Sequence, residues 1–159
     1  MAASQYLAQQ VAEWIGGTAM PTAPSTVYVG LFTAGGAELS GDGYARIAVD
    51  AWAAPSEGGG SVTTSNSEIE ESSVSTSDWL EATQIRLYDA ATDGNALSGL
   101  TALETSRTVL SGSVASFDAG ELTFSISTTD MGSYVADLVA DWIAGSDMLA
   151  RMAVTTSPS

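Results

Sequence analysis

Val27-Tyr-Val-Gly-Leu-Phe-Thr33 is the most clearly β-forming segment of this chain, because β-branched and aromatic residues fill most of it. A short Ala-Gly-Gly loop separates it from Glu38-Leu-Ser-Gly-Asp-Gly-Tyr-Ala-Arg46. Gly41-Asp42-Gly43 lacks the lysine of a phosphate-binding loop and opens no helix. We therefore predict a strand over residues 26–33 that leads into a glycine-rich turn between strands.

Further short segments on the C-terminal side have the same β character. Residues 46–52 alternate, which puts Ile47, Val49 and Ala51 on one face. Other strands are predicted at residues 61–64, 68–74, 84–88, 97–103, 108–110, 114–117 and 121–127, with a flexible loop at 55–60 and a tight turn at Asp93-Gly94. About eight short strands at this spacing predict a mainly β fold, an antiparallel β-sandwich of jelly-roll type.

A helix is predicted on each side of the sandwich. Residues 3–15 carry apolar side chains at helical spacing and end at Gly16-Gly17, and residues 131–143 carry a second apolar face that ends at Gly145. Residues 148–154 form an apolar tail, and 155–159 are polar. We expect one compact domain made of an N-terminal helix and connector (1–20), a sandwich (21–128) and a C-terminal helix and tail (129–159).

The two helices repeat each other. Residues 6–17 align without gaps on residues 134–145, and seven of the twelve positions are identical. Each helix is a candidate for docking its Trp–Ile edge into a groove, on its own sandwich or on a neighbouring subunit. The alternative is that both helices cap a single core. The candidate assembly interface consists of Leu7, Val11, Trp14, Ile15, Val135, Leu138, Val139, Trp142 and Ile143.

The composition excludes several classes of function. Nineteen acidic residues face four arginines, with no lysine and no histidine, and the net charge is −15. Such a surface repels nucleic acid and anionic membranes. The chain has no cysteine, which excludes disulfides and thiolate metal sites. A serine nucleophile would lack a histidine or lysine base, so we predict no enzyme.

Two explanations fit the acidic excess. Like charge keeps exterior proteins apart in solution. Alternatively, the chain is adapted to high salt, where a Debye length of about 3 Å at 1 M screens repulsion between carboxylates. The absence of lysine favours the second explanation, which predicts that the fold loosens in low salt.

A few side chains are candidates for special roles. Carboxylate pairs among Glu68, Glu70, Glu71, Glu81, Asp89 and Asp93 are conceivable acids for glycoside hydrolysis, although any acidic surface offers such pairs. The Asp89, Asp93 and Asn95 side chains offer oxygen ligands for Ca²⁺, and the alternative is a turn stabilised by local hydrogen bonds. No other cofactor is expected. Arg46 and Arg86 are each predicted to pair with a carboxylate inside the fold.

Several motifs in order resemble a family of small virion structural proteins of tailed viruses, described as tail-fibre, minor-tail or head-decoration proteins. They are the Val27–Thr33 strand, the Glu38–Arg46 segment, Ser65-Asn66, Asp78-Trp79, Leu87-Tyr-Asp-Ala-Ala-Thr-Asp-Gly94 and Gly120-Glu-Leu-Thr-Phe-Ser-Ile126. The chain departs from the family pattern after the Trp, where it has Leu80-Glu-Ala-Thr-Gln84 in place of a Gly and a His.

The resemblance implies a non-enzymatic protein of the virion exterior, assembled in the host cytoplasm. Its implied partners are capsid or tail proteins of the same virion and further copies of itself. Small size favours a capsid decoration or turret subunit of a tailed virus, with a tail or fibre-adaptor subunit as the alternative, and the acidic composition without lysine favours a haloarchaeal host. A host-glycan-binding module is the rival from another class, with Trp52 and Trp79 as sugar platforms unless both lie in the core.

Overall fold

The computed structural model describes residues 1–146 and 148, and for Asp130 and Met131 only the backbone. The predicted tail beyond Met148 lies outside these residues. Two helices and nine strands are present in the described residues, in the order α1 Gln5–Ile15, β1 Val27–Phe32, β2 Ile47–Val49, β3 Ser56–Gly58, β4 Ser61–Ser65, β5 Glu70–Glu71, β6 Ala82–Tyr88, β7 Thr101–Arg107, β8 Ser116–Phe117, β9 Thr123–Ser127 and α2 Thr128–Ile143. The predicted mainly β class with a helix at each end is confirmed.

The strands form three antiparallel sheets. Their orders are β2-β1-β6-β7, β3-β4-β9 and β5-β8. In the largest sheet Val29 lies opposite Ile47 on one side and Leu87 on the other, and Leu31 lies opposite Ile85. Cross-strand partners share a face, so these apolar side chains form one inner surface, as the alternation predicts. The arrangement is sandwich-like, and the jelly-roll topology stays a prediction.

Some predicted strand and loop boundaries differ from the observed ones. Residues 55–60 are not a loop, because β3 pairs with β4 through a tight turn at Gly59 and Gly60, whose φ angles are +62° and +80°. Residues 108–110 are not a strand. The strand predicted at 97–103 is observed at Thr101–Arg107, and it carries an irregularity where it pairs with β6.

Each helix is preceded by a serine that caps its N-terminus. The Ser4 hydroxyl accepts a hydrogen bond from the Leu7 amide at 3.1 Å, which places the start of α1 two residues later than predicted. Ser127 caps α2, which begins at Thr128 instead of residue 131. Gly132 interrupts α2 with φ +71°, so the first turn of the helix is separate from the rest.

One hydrophobic cluster joins the sheets and both helices. It includes Leu7 and Val11 of α1, the inner faces of β1 and β6, Phe124 and Ile126 of β9, and Val139 of α2. α2 packs against β4 and β9. Met148 is half-buried against the same cluster. Among the described residues, no helix is both long enough and apolar enough to cross a membrane.

Candidate assembly site

The C-terminal helix uses most of its apolar anchors inside its own fold. Val139, Trp142 and Ile143 are at most 1% exposed. The Trp142 indole Nε1 donates a hydrogen bond to the Pro21 carbonyl at 2.9 Å, which ties α2 to the connector after α1. Val135 and Leu138 are half-buried. A neighbouring subunit therefore has access to Val135 and Leu138 but not to the Trp–Ile edge.

The N-terminal helix buries some of its apolar residues and exposes another. Leu7, Val11 and Trp14 are buried, whereas Ile15 is 52% exposed. The Trp14 and Ile15 pair thus differs from its repeat, Trp142 and Ile143, where both side chains are buried. The accessible members of the predicted interface are Ile15, Val135 and Leu138, and an assembly contact through the helices stays a prediction.

The residues of the Glu38–Arg46 segment form a polar cluster on the outer face of the β1–β6 pair. Arg46 Nε and Nη2 donate to the two carboxylate oxygens of Glu38 at 2.9 and 3.1 Å. Arg46 Nη1 donates to the carbonyls of Ala90 and Asp93 at 2.9 and 2.8 Å. The guanidinium lies 3.6 Å above the centre of the Tyr88 ring. The predicted ion pair of Arg46 is therefore confirmed, and it fastens the 89–95 turn to β1.

Tyr44 completes this cluster. Its hydroxyl donates to Glu38 Oε1 at 2.8 Å and accepts from the Leu31 amide at 3.1 Å. Gly30 leaves the necessary room, since a Cβ there would lie 3.0 Å from Glu38 Oε1. Burial alone would raise the pKa of Glu38, but the hydrogen bonds from Arg46 and Tyr44 lower it below its usual value. Burial raises the pKa of Tyr44, which keeps its hydroxyl protonated.

Arg86 does not pair with a carboxylate, contrary to the prediction. It lies on the face opposite Ile85 and Leu87, as expected, but the described residues hold no acidic partner for it. Its guanidinium carbon is 5.7 Å from the centre of the Phe32 ring. The outer face of the sheet offers an aromatic ring at this position, and the Arg86 Nε is buried without a hydrogen-bond partner among the described residues.

The two tryptophans proposed as sugar platforms are not exposed rings. Trp79 is 2% exposed, packs edge-to-face on Tyr44, and donates from Nε1 to the Asp42 carbonyl at 3.2 Å. Trp52 is half-buried, and its Nε1 is buried without a hydrogen-bond partner in the described part of the chain. Trp79 therefore belongs to the core, the alternative that the sequence analysis held beside the glycan site.

The Asp89–Asn95 segment is held by local hydrogen bonds. The Asp89 carboxylate accepts from the Asn95 amide at 2.7 Å and from its side chain at 3.1 Å. Asp93 and Gly94 both have positive φ, +52° and +72°, as a tight turn requires. Within residues 1–146 and 148, no three His, Cys, Asp or Glu side chains group as metal ligands would. The geometry is that of the turn alternative.

The other acidic candidates Glu68, Glu71 and Glu81 are exposed on the surface. Glu70 is the exception, because its burial, followed by the nearby charges of Asp50 and Glu68, raises its pKa. Glu81 accepts a hydrogen bond from the Ser106 hydroxyl instead of facing a second carboxylate. The ionised Glu70 carboxylate is therefore partly buried near other negative charges, which lowers the stability of the fold.

Asn66 has a role that the sequence analysis did not assign. Its side chain is 1% exposed and makes all four of its hydrogen bonds, donating to the Glu68 and Asp118 carbonyls and accepting from the Gly120 and Leu122 amides. Its position between predicted strands gave one indication, since Asn in such places commonly replaces backbone partners. Asn66 joins the loop after β4 to the loop before β9.

An open groove of about 970 Å³ lies beside β7 in the described part of the chain. Its walls are β7 on one side and residues 108–118, including β8, on the other; we call it the β7–β8 groove. Leu31 and Ile85 lie at its floor, and Glu104, Arg107, Asp118 and Glu121 lie at its rim. Sequence reasoning missed this groove because β7 lies at 101–107 instead of the predicted 97–103, and because local patterns do not show that β8, which falls within the predicted strand at 114–117, lies beside it.

Comparison with known proteins gives one family. Residues 2–125 match a protein-family model described as "Podophage GP4 fiber I protein gp80". A search of curated proteins finds no match. The matched region runs from the residues before α1 into β9 and contains the whole polar cluster around Arg46. The match supports the resemblance to tailed-virus structural proteins at the level of a phage tail-fibre family.

Proposed function

Because this chain belongs to the family of the podophage GP4 fiber I protein gp80, we propose that it is a non-enzymatic structural subunit of a phage fibre. The observation that carries this proposal is the family match over residues 2–125. The fibre position was the alternative in the sequence analysis, and the family description favours it over capsid decoration or a turret.

The polar cluster supports a structural role for the most informative motif. Each nitrogen of the Arg46 guanidinium is bound to a carboxylate or a carbonyl, and the Tyr44 hydroxyl is used twice. These groups hold β1, the 38–46 segment and the 89–95 turn together. Side chains that are held in this way by several hydrogen bonds keep the segment rigid, which suits a structural subunit that contacts neighbouring proteins.

Attachment is proposed to use protein–protein contacts with other virion proteins and with copies of this chain. Ile15, Val135 and Leu138 are the accessible members of the predicted assembly interface. Ile15→Asp tests this contact, with Leu80→Asp as the control because Leu80 is 63% exposed and lies outside both helices. Loss of assembly in the first variant alone supports the helix contact, and equal assembly of both variants contradicts it.

The location is tested by quantitative mass spectrometry of purified particles together with antibody labelling in electron micrographs. A fibre subunit gives a copy number that matches the few tail appendages, with label at the tail. A copy number that matches the capsid subunits, with label over the head, supports decoration instead. Absence of the chain from purified particles contradicts a structural role in the virion.

We also propose that the virion works at high salt. The support is the net charge of −15 with no lysine, and the grouping of Glu70 with Asp50 and Glu68. Screening by salt lowers the repulsion within such a group.

A further inference from the structure

Both walls of the β7–β8 groove are sheet edges. β7 is the last strand of the four-stranded sheet and β8 the last strand of the two-stranded sheet. Among the described residues, each of these strands pairs with another strand on one side only, and its other side is a sheet edge. Exposed edges of this kind accept an added strand from another chain.

β7 is irregular where it pairs with β6. Ala102 pairs with Gln84 and Arg107 with Ala82, so the four residues Leu103–Ser106 lie opposite Thr83 alone. Their backbone groups stay outside the regular ladder, and the Thr83 hydroxyl is buried without a hydrogen-bond partner in the described chain. The edge of β7 that faces away from β6 can accept a ligand that supplies backbone donors and acceptors of its own.

The groove also offers apolar contacts. Leu31 and Ile85 are buried at its floor, and Leu103 and Phe117 are half-buried along its walls. Leu110 and Val114 line the same groove and are 57% and 39% exposed. A volume of about 970 Å³ is at the upper end of ligand pockets, which leaves room for a peptide segment.

The charges at the rim indicate which kind of segment fits. Glu104, Asp118 and Glu121 give three carboxylates against the single guanidinium of Arg107. A second copy of this chain, at net charge −15, is a poor match for an acidic rim. An extended segment with lysine or arginine between apolar residues matches both the rim and the floor.

We propose that the β7–β8 groove binds an extended segment, carrying basic and apolar residues, from a different virion protein, which adds a strand beside β7. This inference rests on the proposed function, because it names the partner of a fibre subunit. The added strand forms hydrogen bonds with backbone groups of Leu103–Ser106. Its apolar residues cover Leu110 and Val114.

Hydrogen exchange with mass spectrometry, on the free chain and on purified particles, tests the inference. We expect the amides of residues 101–107 and 113–118 to exchange about tenfold or more slowly in particles, as new strand hydrogen bonds require. Presence in particles with unchanged exchange at these residues overturns the inference and leaves the proposed function standing. Absence from particles overturns both. Slower exchange with rising concentration of the free chain identifies a second copy as the occupant, which overturns the inference.

Variants give an independent test in the assembling virus. Leu110→Asp and Glu104→Lys are expected to lower the amount of the chain in particles by about tenfold, because they place charge on the apolar wall and reverse the rim. Ile69→Asp is the matched control, since Ile69 is 61% exposed and lies outside the groove. Circular dichroism of each purified variant verifies folding. Equal incorporation of all three variants overturns the inference.

Discussion

Arg46 is the residue whose replacement separates charge from geometry. Lysine keeps the charge but loses the planar fork that reaches both oxygens of Glu38 and two carbonyls. We expect Arg46→Lys to lower the free energy of unfolding by about 1.5–3 kcal/mol, the range for hydrogen bonds to charged groups. Arg107→Lys is the control, because Arg107 is exposed and has no ion pair among the described residues, and it should change stability by less than about 0.5 kcal/mol. Urea denaturation measures both, and equal effects would contradict the role of the fork.

Glu38 makes acid stability a property of this cluster. Its pKa is lower in the folded chain than in the unfolded one, so its ionised form stabilises the fold above the unfolded pKa, about 4.3. That contribution disappears as the pH falls through the folded pKa. We expect Glu38→Gln to reduce the loss of unfolding free energy on acidification below about pH 4. Denaturation curves at a series of pH values give the slope, and an unchanged slope would reject this assignment.

Glu70 is expected to behave in the opposite way. Burial, and then the charges of Asp50 and Glu68, raises its pKa, so its ionised form destabilises the fold above the folded pKa. Glu70→Gln should therefore raise the melting temperature at neutral pH and have progressively less effect as the pH falls through that pKa. Glu71→Gln is the control on the exposed neighbour in the same strand. A stabilisation that persists at low pH would show a cause other than ionisation.

The residue pairings were only partly predictable from the sequence. An internal partner for Arg46 followed from the scarcity of cations, and the structure confirms it. The same argument failed for Arg86, because pairing depends on which side chains lie across the strand. Gln84, Phe32 and Gly30 surround that position in the register, and none carries a charge.

The turn between β1 and β2 contains a glycine, Gly43, whose replacement should destabilise the fold. Gly43 has φ +83°, and a Cβ there would lie 2.7 Å from the Val74 carbonyl oxygen. We expect Gly43→Ala to cost about 2 kcal/mol or more, because it adds left-handed strain and a backbone clash. Gly99→Ala is the control, since Gly99 has no positive φ and no atom within 4 Å of the added carbon. Thermal unfolding compares the two, and similar melting temperatures would contradict the tight approach.

Strands with a buried apolar face could be predicted from the sequence. Strands that form only because another strand pairs with them could not. β9 alternates between buried and more exposed positions, β6 has buried residues on one face, and β1 is buried almost throughout, so their apolar patterns appear in the sequence. β3 is fully exposed and depends on its pairing with β4 through two glycines. The repeated helices make the same point, because Ile15 is 52% exposed whereas its counterpart Ile143 is 1% exposed. The two helices are similar in sequence but pack against different residues.

At the scale of the whole molecule, the missing information was long-range pairing. β4 pairs with β9, and β5 with β8, across long stretches of chain. Local patterns do not specify which distant strands meet, and a short strand has little pattern of its own. The β7–β8 groove arises from these pairings together with the irregular edge of β7. A candidate binding site built from two distant edges was therefore not visible in the sequence.

The charge of the whole chain leads to the last prediction. With a net charge of −15 and no lysine, repulsion opposes the compact state at low ionic strength. At 1 M salt the Debye length is about 3 Å, so most of this repulsion is screened. We expect the melting temperature to fall on transfer from 1 M to about 0.05 M sodium chloride, and the fall to be smaller in Glu70→Gln, which removes one charge from an acidic group. Sucrose at low ionic strength is the control for solvent effects without screening. A melting temperature that does not change with sodium chloride would contradict adaptation to high salt and leave the solubilising explanation for the acidic surface.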